Sequence, residues 1–193
     1  MGVEVEETRT RIADQRRSES IGVGSVWAAV LRDLRLMLVA LWLGSAVFFS
    51  ATVAPSAFGV LRARNVPYAN EAAGTIVTRT LGVVNTAGFV IALFLLASAF
   101  AFRRRAKPRL FALEIISTIV LAIATAVGQW IIAARMLGLR AAMGRPIDDV
   151  PADDALHASF NTLHGYSVAA LGIAIIAAAV LLLVISRRGT NRG

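Results

Sequence analysis

The chain contains no cysteine, and its only histidines are His157 and His164. The first absence excludes disulfides, thiolate metal sites and cysteine nucleophiles, and the second limits imidazole chemistry to two positions. The sequence also has no glycine-rich phosphate loop, no Ser-His-Asp spacing and no H-E-x-x-H run. We therefore predict a protein that is not an enzyme and carries no cofactor.

Apolar residues are abundant, at 57% of the 193 positions, and the mean hydropathy is +0.69. This share exceeds that of ordinary soluble proteins and indicates the membrane class. The formal net charge of +8 would also suit a nucleic-acid-binding protein. However, the arginines cluster beside apolar stretches, as they do in the cytoplasmic loops of membrane proteins. We predict the lipid bilayer, and not nucleic acid, as the partner.

Four apolar stretches are long enough to cross a bilayer, which takes about 20 residues in a helix. We place the spans at about 36–55, 81–102, 110–136 and 165–185. Residues 1–24 are polar and charged without apolar periodicity, which predicts a disordered cytoplasmic tail, not a signal peptide. The four-span domain then covers residues 25–189, and residues 190–193 form a C-terminal tail.

Charge predicts the orientation of the spans. The link at 103–109 holds four arginines and one lysine, whereas the connector at 137–164 is rich in aspartate. Because cytoplasmic loops collect basic residues, we place this link and both termini in the cytoplasm, with connectors 56–80 and 137–164 outside. The predicted fold class is an all-α membrane protein, a four-helix transmembrane bundle of the cell (cytoplasmic) membrane with both termini cytoplasmic.

Local signals predict where helices begin and end. Pro67 indicates a turn that starts a new helix, because proline suits the first helical position. The helical pattern of the third span continues to Met143, where Gly144 is expected to stop it. Pro151 is expected to begin the last helix.

Glu114 is an ionisable residue inside the third span, and such a residue is costly unless it is paired or faces a cavity. One interpretation is a snorkelling or salt-bridged carboxylate near the interface, paired with Arg35 or with the link 103–109. The other is a proton or cation site that faces the interior of the bundle. Both remain open at this point.

Arg79 and Arg135 approach the outer membrane face, against the usual distribution of positive charge. They would pair with acidic residues of the connectors or attract an anion. Together with Glu114 and His164 they form our candidate polar cluster.

A second candidate is a metal site at Asp153, His157 and His164. With Asn161, these residues are spaced four, four and three apart, which puts them on one side of a helix. The pair Asp153/His157 could share a metal ion, whereas His157 and His164 lie about 10 Å apart along the axis and cannot both bind one. A capping role for Asp153 and Asp154 behind Pro151 is the structural alternative.

Several segments resemble a known family: LWLGSAVFFSATVAPSAF (41–58), Ala73-Gly74 with Arg79, QWIIAARMLGLRAAMG (129–144) and FNTLHGYS (160–167). Together they resemble the bacterial domain of unknown function 4149 family, which is similar to the eukaryotic transmembrane protein 205-like proteins. The resemblance covers about Leu36 to Ile185. It implies a four-span integral membrane protein and brings no assigned catalytic mechanism.

The resemblance singles out Trp42, Gly44, Pro55, Phe58, Arg79, Phe160, His164 and Ser167. Under it, Pro55 would end the first helix at the outer face. His164 would then meet Pro55 and Arg79 in a polar cluster at the outer mouth of the bundle. Trp42, deep in the first span, is interpreted as a packing residue.

The function that these observations favour is a membrane-embedded binding or accessory module whose ligand is unidentified. The alternative is a small transporter or channel for a metal ion or proton, acting through Glu114 and the face of Asp153, His157 and His164. A homo-oligomer would suit either function. A haem-holding bundle is disfavoured, because both histidines are expected on one helix.

Overall fold

The computed structural model describes residues 26–101 and 108–190, and within these ranges the structure is helical without strands. The long helices of the described residues are α1 (Val26–Ala63), α2 (Ala69–Ala101), α3 (Pro108–Met143) and α4 (Ala155–Thr190). The predicted tail at 1–24, most of the basic link and residues 191–193 lie outside the described residues.

The chain divides into two compact units, residues 1–37 and residues 38–193. The described part of the first unit is helical, and its Arg32 Nη2 lies 2.9 Å from Asp33 Oδ1. The second unit holds most of α1 and all of the described residues of α2, α3 and α4.

Helices that follow one another in the chain pack together in the second unit, α1 with α2, α2 with α3 and α3 with α4. Each of the four contains a window of mean hydropathy between 2.1 and 3.1 and is long and apolar enough to cross a membrane. At about 1.5 Å per residue each helix measures about 50 Å or more, against about 30 Å for the hydrocarbon core. The predicted four-helix transmembrane bundle is confirmed, and its helices extend beyond the predicted spans.

Pro55 does not end the first helix, so that prediction is wrong. A proline inside an α-helix lacks the N–H donor and its ring collides with a carbonyl of the preceding turn. Here the turn just before it, Phe49–Val53, is a wider π-helix, in which the N–H of Ala54 donates to the carbonyl of Phe49. The α-helix then continues past Pro55 to Ala63.

The third helix also contains a π segment, Val127–Ile132, before it returns to α-helix at Ala133–Met143. Gly144 then stops it with φ 63°, a left-handed conformation that glycine adopts without strain. The predicted stop at Gly144 is confirmed.

The last helix begins at Ala155, so the predicted start at Pro151 is wrong. Asp154 Oδ1 accepts hydrogen bonds from the backbone N–H of Leu156 (2.8 Å) and of His157 (3.3 Å). These bonds satisfy donors that the first helical turn leaves free, so Asp154 is the N-cap. The capping interpretation is confirmed for Asp154, while Asp153 precedes the helix.

The second helix is capped from a distant part of the chain. Pro67 lies in a tight turn in which Tyr68 has φ 54°, and α2 begins at Ala69. Asp148 accepts hydrogen bonds from the backbone N–H groups of Asn70 (3.1 Å) and Glu71 (2.9 Å). A carboxylate at a helix N-terminus also complements the helix dipole, so Asp148 fixes the connector before α4 onto the start of α2.

Close packing in the middle of the bundle depends on Trp42. Its ring is 4% exposed, and its Nε1 donates to the carbonyl of Val84 over 2.8 Å. Gly88 makes room for the indole, because a Cβ at that position would lie 2.6 Å from Nε1. The interpretation of Trp42 as a packing residue is confirmed.

Candidate ligand-binding site

Arg140 joins three helices at the connector end of the bundle. Its Nη1 lies 3.2 Å from Glu71 Oε1 on α2, and its guanidinium lies over the ring of Phe160 on α4 at 5.3 Å from the ring centroid. Glu71 Oε2 also accepts a hydrogen bond from the backbone N–H of Ile147 (3.2 Å). Since Arg140 belongs to α3, this one side chain holds α2, α3 and α4 together, and Glu71 adds the connector.

Gly74 leaves the space that the Arg140 guanidinium occupies. A Cβ on Gly74 would collide with Nη2 of Arg140. The Arg140 side chain is only 15% exposed, and its Nε is buried without a hydrogen-bond partner in the part of the chain that the structure describes. An unpaired buried donor is uncommon in proteins.

Beside Arg140 lies a cavity of about 430 Å³, here called the mouth chamber. It is lined by residues from all four helices and from the connector before α4. Its polar side chains are mainly hydrogen-bond donors and bases: Arg62, Asn70, Arg140, His157, Asn161 and His164. The mouth chamber is therefore suited to a polar or anionic group.

His157 is oriented by the connector. Its Nδ1 lies 3.2 Å from the carbonyl oxygen of Val150 and 3.1 Å from that of Pro151. Because a carbonyl oxygen only accepts, Nδ1 carries a proton, and Nε2 of the neutral ring is left as an acceptor. The ring can therefore accept a hydrogen bond through Nε2 while Nδ1 keeps its contacts with the connector.

A second cavity, of about 390 Å³ and here called the apolar chamber, lies deeper in the bundle. Its wall is mostly apolar and includes Phe49, Leu81, Ala133, Leu171 and Ile175. The two chambers have wall residues in common, namely Phe58, Val77, Thr78, Met136 and His164. Both volumes fall in the range of about 300–1,000 Å³ that is usual for small-molecule sites.

Both π segments contribute to the apolar chamber. Phe49 and Ser50 come from the segment in α1, and Gln129 comes from the segment in α3. A π turn widens the helix locally, and such turns occur often at functional sites.

Gln129 lies in the wall of two cavities. It lines the chamber and also an open groove of about 640 Å³ on the outer surface, here called the side groove. Its amide lies against Gly82, where a Cβ would be 3.5 Å from Oε1. Oε1 is buried and has no hydrogen-bond partner among the described residues.

The structure does not bring the four residues of the candidate polar cluster together. His164 lines both chambers, Arg79 lines the side groove, and Arg135 is exposed. Glu114 is fully buried at 0% exposure, about 31 Å from Arg135 along α3. Complete burial does not fit a carboxylate that snorkels to the interface, whereas the salt-bridged interpretation stays open, because Glu114 is not without an interaction partner.

The geometry also gives no support to a metal site at Asp153, His157 and His164. Asp153 is exposed and lies before α4, and the Nδ1 atom of His157 is engaged with the connector. The described ranges, 26–101 and 108–190, contain no group of three or more His, Cys, Asp or Glu that could hold a metal ion. Metal binding at these residues stays a sequence prediction.

Sequence reasoning missed Arg140, Glu71, Asp148 and Gln129 as site residues. Glu71 and Arg140 carry opposite charges in two connectors predicted on the same side, which was the available signal for their pairing. Nothing in the local sequence indicates that Asp148 caps a helix that begins far earlier in the chain.

These features define the class of the protein: four apolar helices of spanning length make it a multi-pass integral membrane protein with internal cavities. Residues 37–145 match the family described as domain of unknown function (DUF4149), and since this is more than half of the chain, the protein belongs to that family. The segment Phe160–Ser167 lies beyond the matched residues. Comparison with curated proteins and with solved structures gave no significant match.

Proposed function

We propose that the protein is a membrane-embedded binding module for an amphiphilic small molecule. The observation that carries this proposal is the pair of chambers, which have a wall in common and differ in polarity. The apolar part of such a molecule would lie in the apolar chamber, and its head would lie at the level where this chamber meets the mouth chamber. Ligand sites of this kind are mostly apolar, with a few polar groups that fix orientation.

The charge of the mouth chamber favours an anionic or hydrogen-bonding head. Arg62 is exposed, its Nε donates to Asn70 Oδ1 over 2.8 Å, and its guanidinium lies 5.5 Å from the ring centroid of Phe58. Arg140 is partly neutralised by Glu71, while its Nε remains without a partner within the described part of the chain. Arginine suits carboxylate and phosphate groups because its donors match their geometry.

We place the protein in the cell membrane with both termini in the cytoplasm, on the strength of the basic link and the acidic connector. The mouth chamber then lies on the outer side. The lipid bilayer is the surrounding partner, and association of copies through small-residue helix faces is part of the proposal. Enzymatic activity and a resident cofactor are not part of it.

The test is retention of oleate, an anionic amphiphile, by the purified full chain, measured by native mass spectrometry. Gly172 lines the apolar chamber, and a Cβ there meets no atom within 4 Å, so Gly172→Leu introduces a side chain that starts in open space and is designed to fill the chamber. Gly165 lies on the same helix, is equally open and lines neither chamber, so Gly165→Leu is the matched control.

We expect the wild type and Gly165→Leu to retain one oleate, and Gly172→Leu to retain at least tenfold less. Equal retention by all three proteins, or none by the wild type, would contradict the proposed binding function.

Glu114 favours a second candidate function, transport of a proton or cation. Glu114 has 0% exposure inside an apolar span, and ionisable residues inside spans are rare and often mark ion pathways in membrane proteins. Proteoliposomes with an imposed pH or cation gradient should show a flux that Glu114→Gln abolishes, with His164→Ala as the second variant. No flux above that of empty liposomes would reject this candidate.

A further inference from the structure

The side groove lies on the outer surface of the bundle and has no role in the proposed function. It runs along α2 from Arg79 to Ile91, on a face where Val83 is 71% and Val90 is 58% exposed. Exposed valines on a membrane-spanning helix are suited to contact with lipid. At about 1.5 Å per residue the groove is about 18 Å long, close to half of the hydrocarbon thickness of about 30 Å. It therefore has the length of the acyl layer of one leaflet.

One end of the groove is charged. Arg79 is exposed, and no ion pair joins it to another described residue. Its guanidinium is therefore available to a phosphate or carboxylate, which arginine binds through paired hydrogen bonds. The rest of the groove is apolar or small, apart from Thr86 and Gln129.

The charged end of the groove lies at the same depth along the helix axis as the place where the two chambers meet. Thr78, which lines both chambers, immediately precedes Arg79, so the two residues differ by about 1.5 Å along the helix axis. Gly82 and Gln129 line both the apolar chamber and the groove. A lipid in the groove would thus hold its head at the junction of the chambers and its chain beside the apolar chamber, separated from it by the amide of Gln129.

We propose that the protein takes its amphiphile sideways from the bilayer, as an anionic membrane lipid whose headgroup binds Arg79 in the side groove and whose chain passes Gln129 into the apolar chamber. This inference rests on the proposed binding function and adds the ligand class and the route. The partnerless Oε1 of Gln129 fits a side chain that moves as the chain passes, because moving it breaks no hydrogen bond of that atom.

The first experiment measures which lipid is retained. The full chain is incorporated in nanodiscs of equal parts phosphatidylglycerol and phosphatidylcholine, and released protein is analysed by native mass spectrometry. We expect several-fold enrichment of phosphatidylglycerol, lost in Arg79→Gln. Arg135 is also exposed but lies outside the groove, so Arg135→Gln is the control and should keep the enrichment. Equal retention of both lipids by the wild type, or equal loss in both variants, would overturn the proposal.

The second experiment measures the route, as the rate at which phosphatidylglycerol with deuterated chains replaces the retained lipid. Ala87 lines the groove and neither chamber, so Ala87→Phe should slow replacement about tenfold. Ala97 is exposed on the same helix outside the groove, so Ala97→Phe should exchange like the wild type. An unchanged rate in Ala87→Phe would overturn the sideways route.

The two proposals fail in different ways. If Gly172→Leu loses retention but Ala87→Phe exchanges at the wild-type rate, the chamber binds a ligand that arrives by another path, and only the further inference is wrong. If Gly172→Leu retains lipid like the wild type, the lipid is not in the chamber, and both proposals are wrong.

Discussion

Two glycines of the same helix show how differently the two levels of the bundle are packed. At Gly88 the indole of Trp42 fills the space, so that a Cβ would lie 2.6 Å from Nε1 and 2.7 Å from Cε2. At Gly82, less than two turns away, the nearest side chain is Gln129, 3.5 Å from where a Cβ would lie, and a chamber of about 390 Å³ adjoins it.

The difference between the levels comes from the partner side chains, because the residue on α2 is glycine at both. A large rigid indole, hydrogen-bonded to the carbonyl of Val84, gives the close packing of an ordinary protein interior. Beside Gly82 the partner helix is in its π segment and contributes an amide side chain, which leaves space. The level of Gly88 therefore holds the bundle together, and the level of Gly82 is available to a ligand.

The largest effect is expected at the packed level. Gly88→Ala should lower the free energy of unfolding by roughly 1–3 kcal/mol, because overpacking forces Trp42 to shift. Thermal unfolding in mild detergent, followed by circular dichroism, measures the change. A variant as stable as the wild type would show that the bundle is not packed more closely at Gly88 than at Gly82.

Asp148→Ala should come next, since it removes the cap of α2 above the mouth chamber. Loss of a side-chain N-cap costs about 1 kcal/mol in the free energy of unfolding, and Asp148 bonds two N–H groups of α2. The neighbouring Asp149 is exposed and its side chain has no such bond, so Asp149→Ala is the control. Equal unfolding temperatures of the two variants would show that the cap does not stabilise the helix.

A smaller effect is expected for Glu71→Gln. The Glu71 and Arg140 side chains are 32% and 15% exposed, so solvent weakens their ion pair, and we expect a loss of about 0.5 kcal/mol. The difference from the wild type should shrink in high salt, because salt screens partly exposed pairs. Unfolding curves at low and high salt test this, and a difference that salt does not change would assign the effect to packing.

The smallest change, and one of opposite sign, is expected for Gly82→Ala. A Cβ there makes only ordinary contact with Gln129, and alanine favours a helix over glycine by up to about 1 kcal/mol. We expect the same unfolding temperature as the wild type or a slightly higher one. A marked loss of stability would mean that the open level is as tightly packed as the level of Gly88, and the comparison would no longer hold.

The fold could be predicted because a bilayer-spanning helix needs a long apolar run, and four such runs are visible without any knowledge of contacts. The ends of the helices were less predictable. Proline disfavours the interior of an α-helix, yet α1 continues past Pro55, and the π turn before it has no clear sequence signal. Gly144 was predictable because its left-handed conformation is a local property of the chain.

The candidate site could be predicted only in fragments. His157 and His164 were identified as polar residues at one end of the bundle, and both line the mouth chamber. Gln129 lies against Gly82, and Arg140 forms an ion pair with Glu71. Both partners are far away in the sequence, and such pairings depend on how the helices pack. A cavity forms where the side chains of several helices leave space between them, so it cannot be predicted from any single stretch of sequence.

The apolar chamber is proposed to hold the chain of an amphiphile. The most direct measurement is an experimental structure of the protein purified with its native lipids. We expect elongated density inside the apolar chamber, beside Leu171 and Gln129, that reaches His164 at the junction with the mouth chamber. A chamber that is empty, or closed by its own side chains in the presence of those lipids, would contradict the claim.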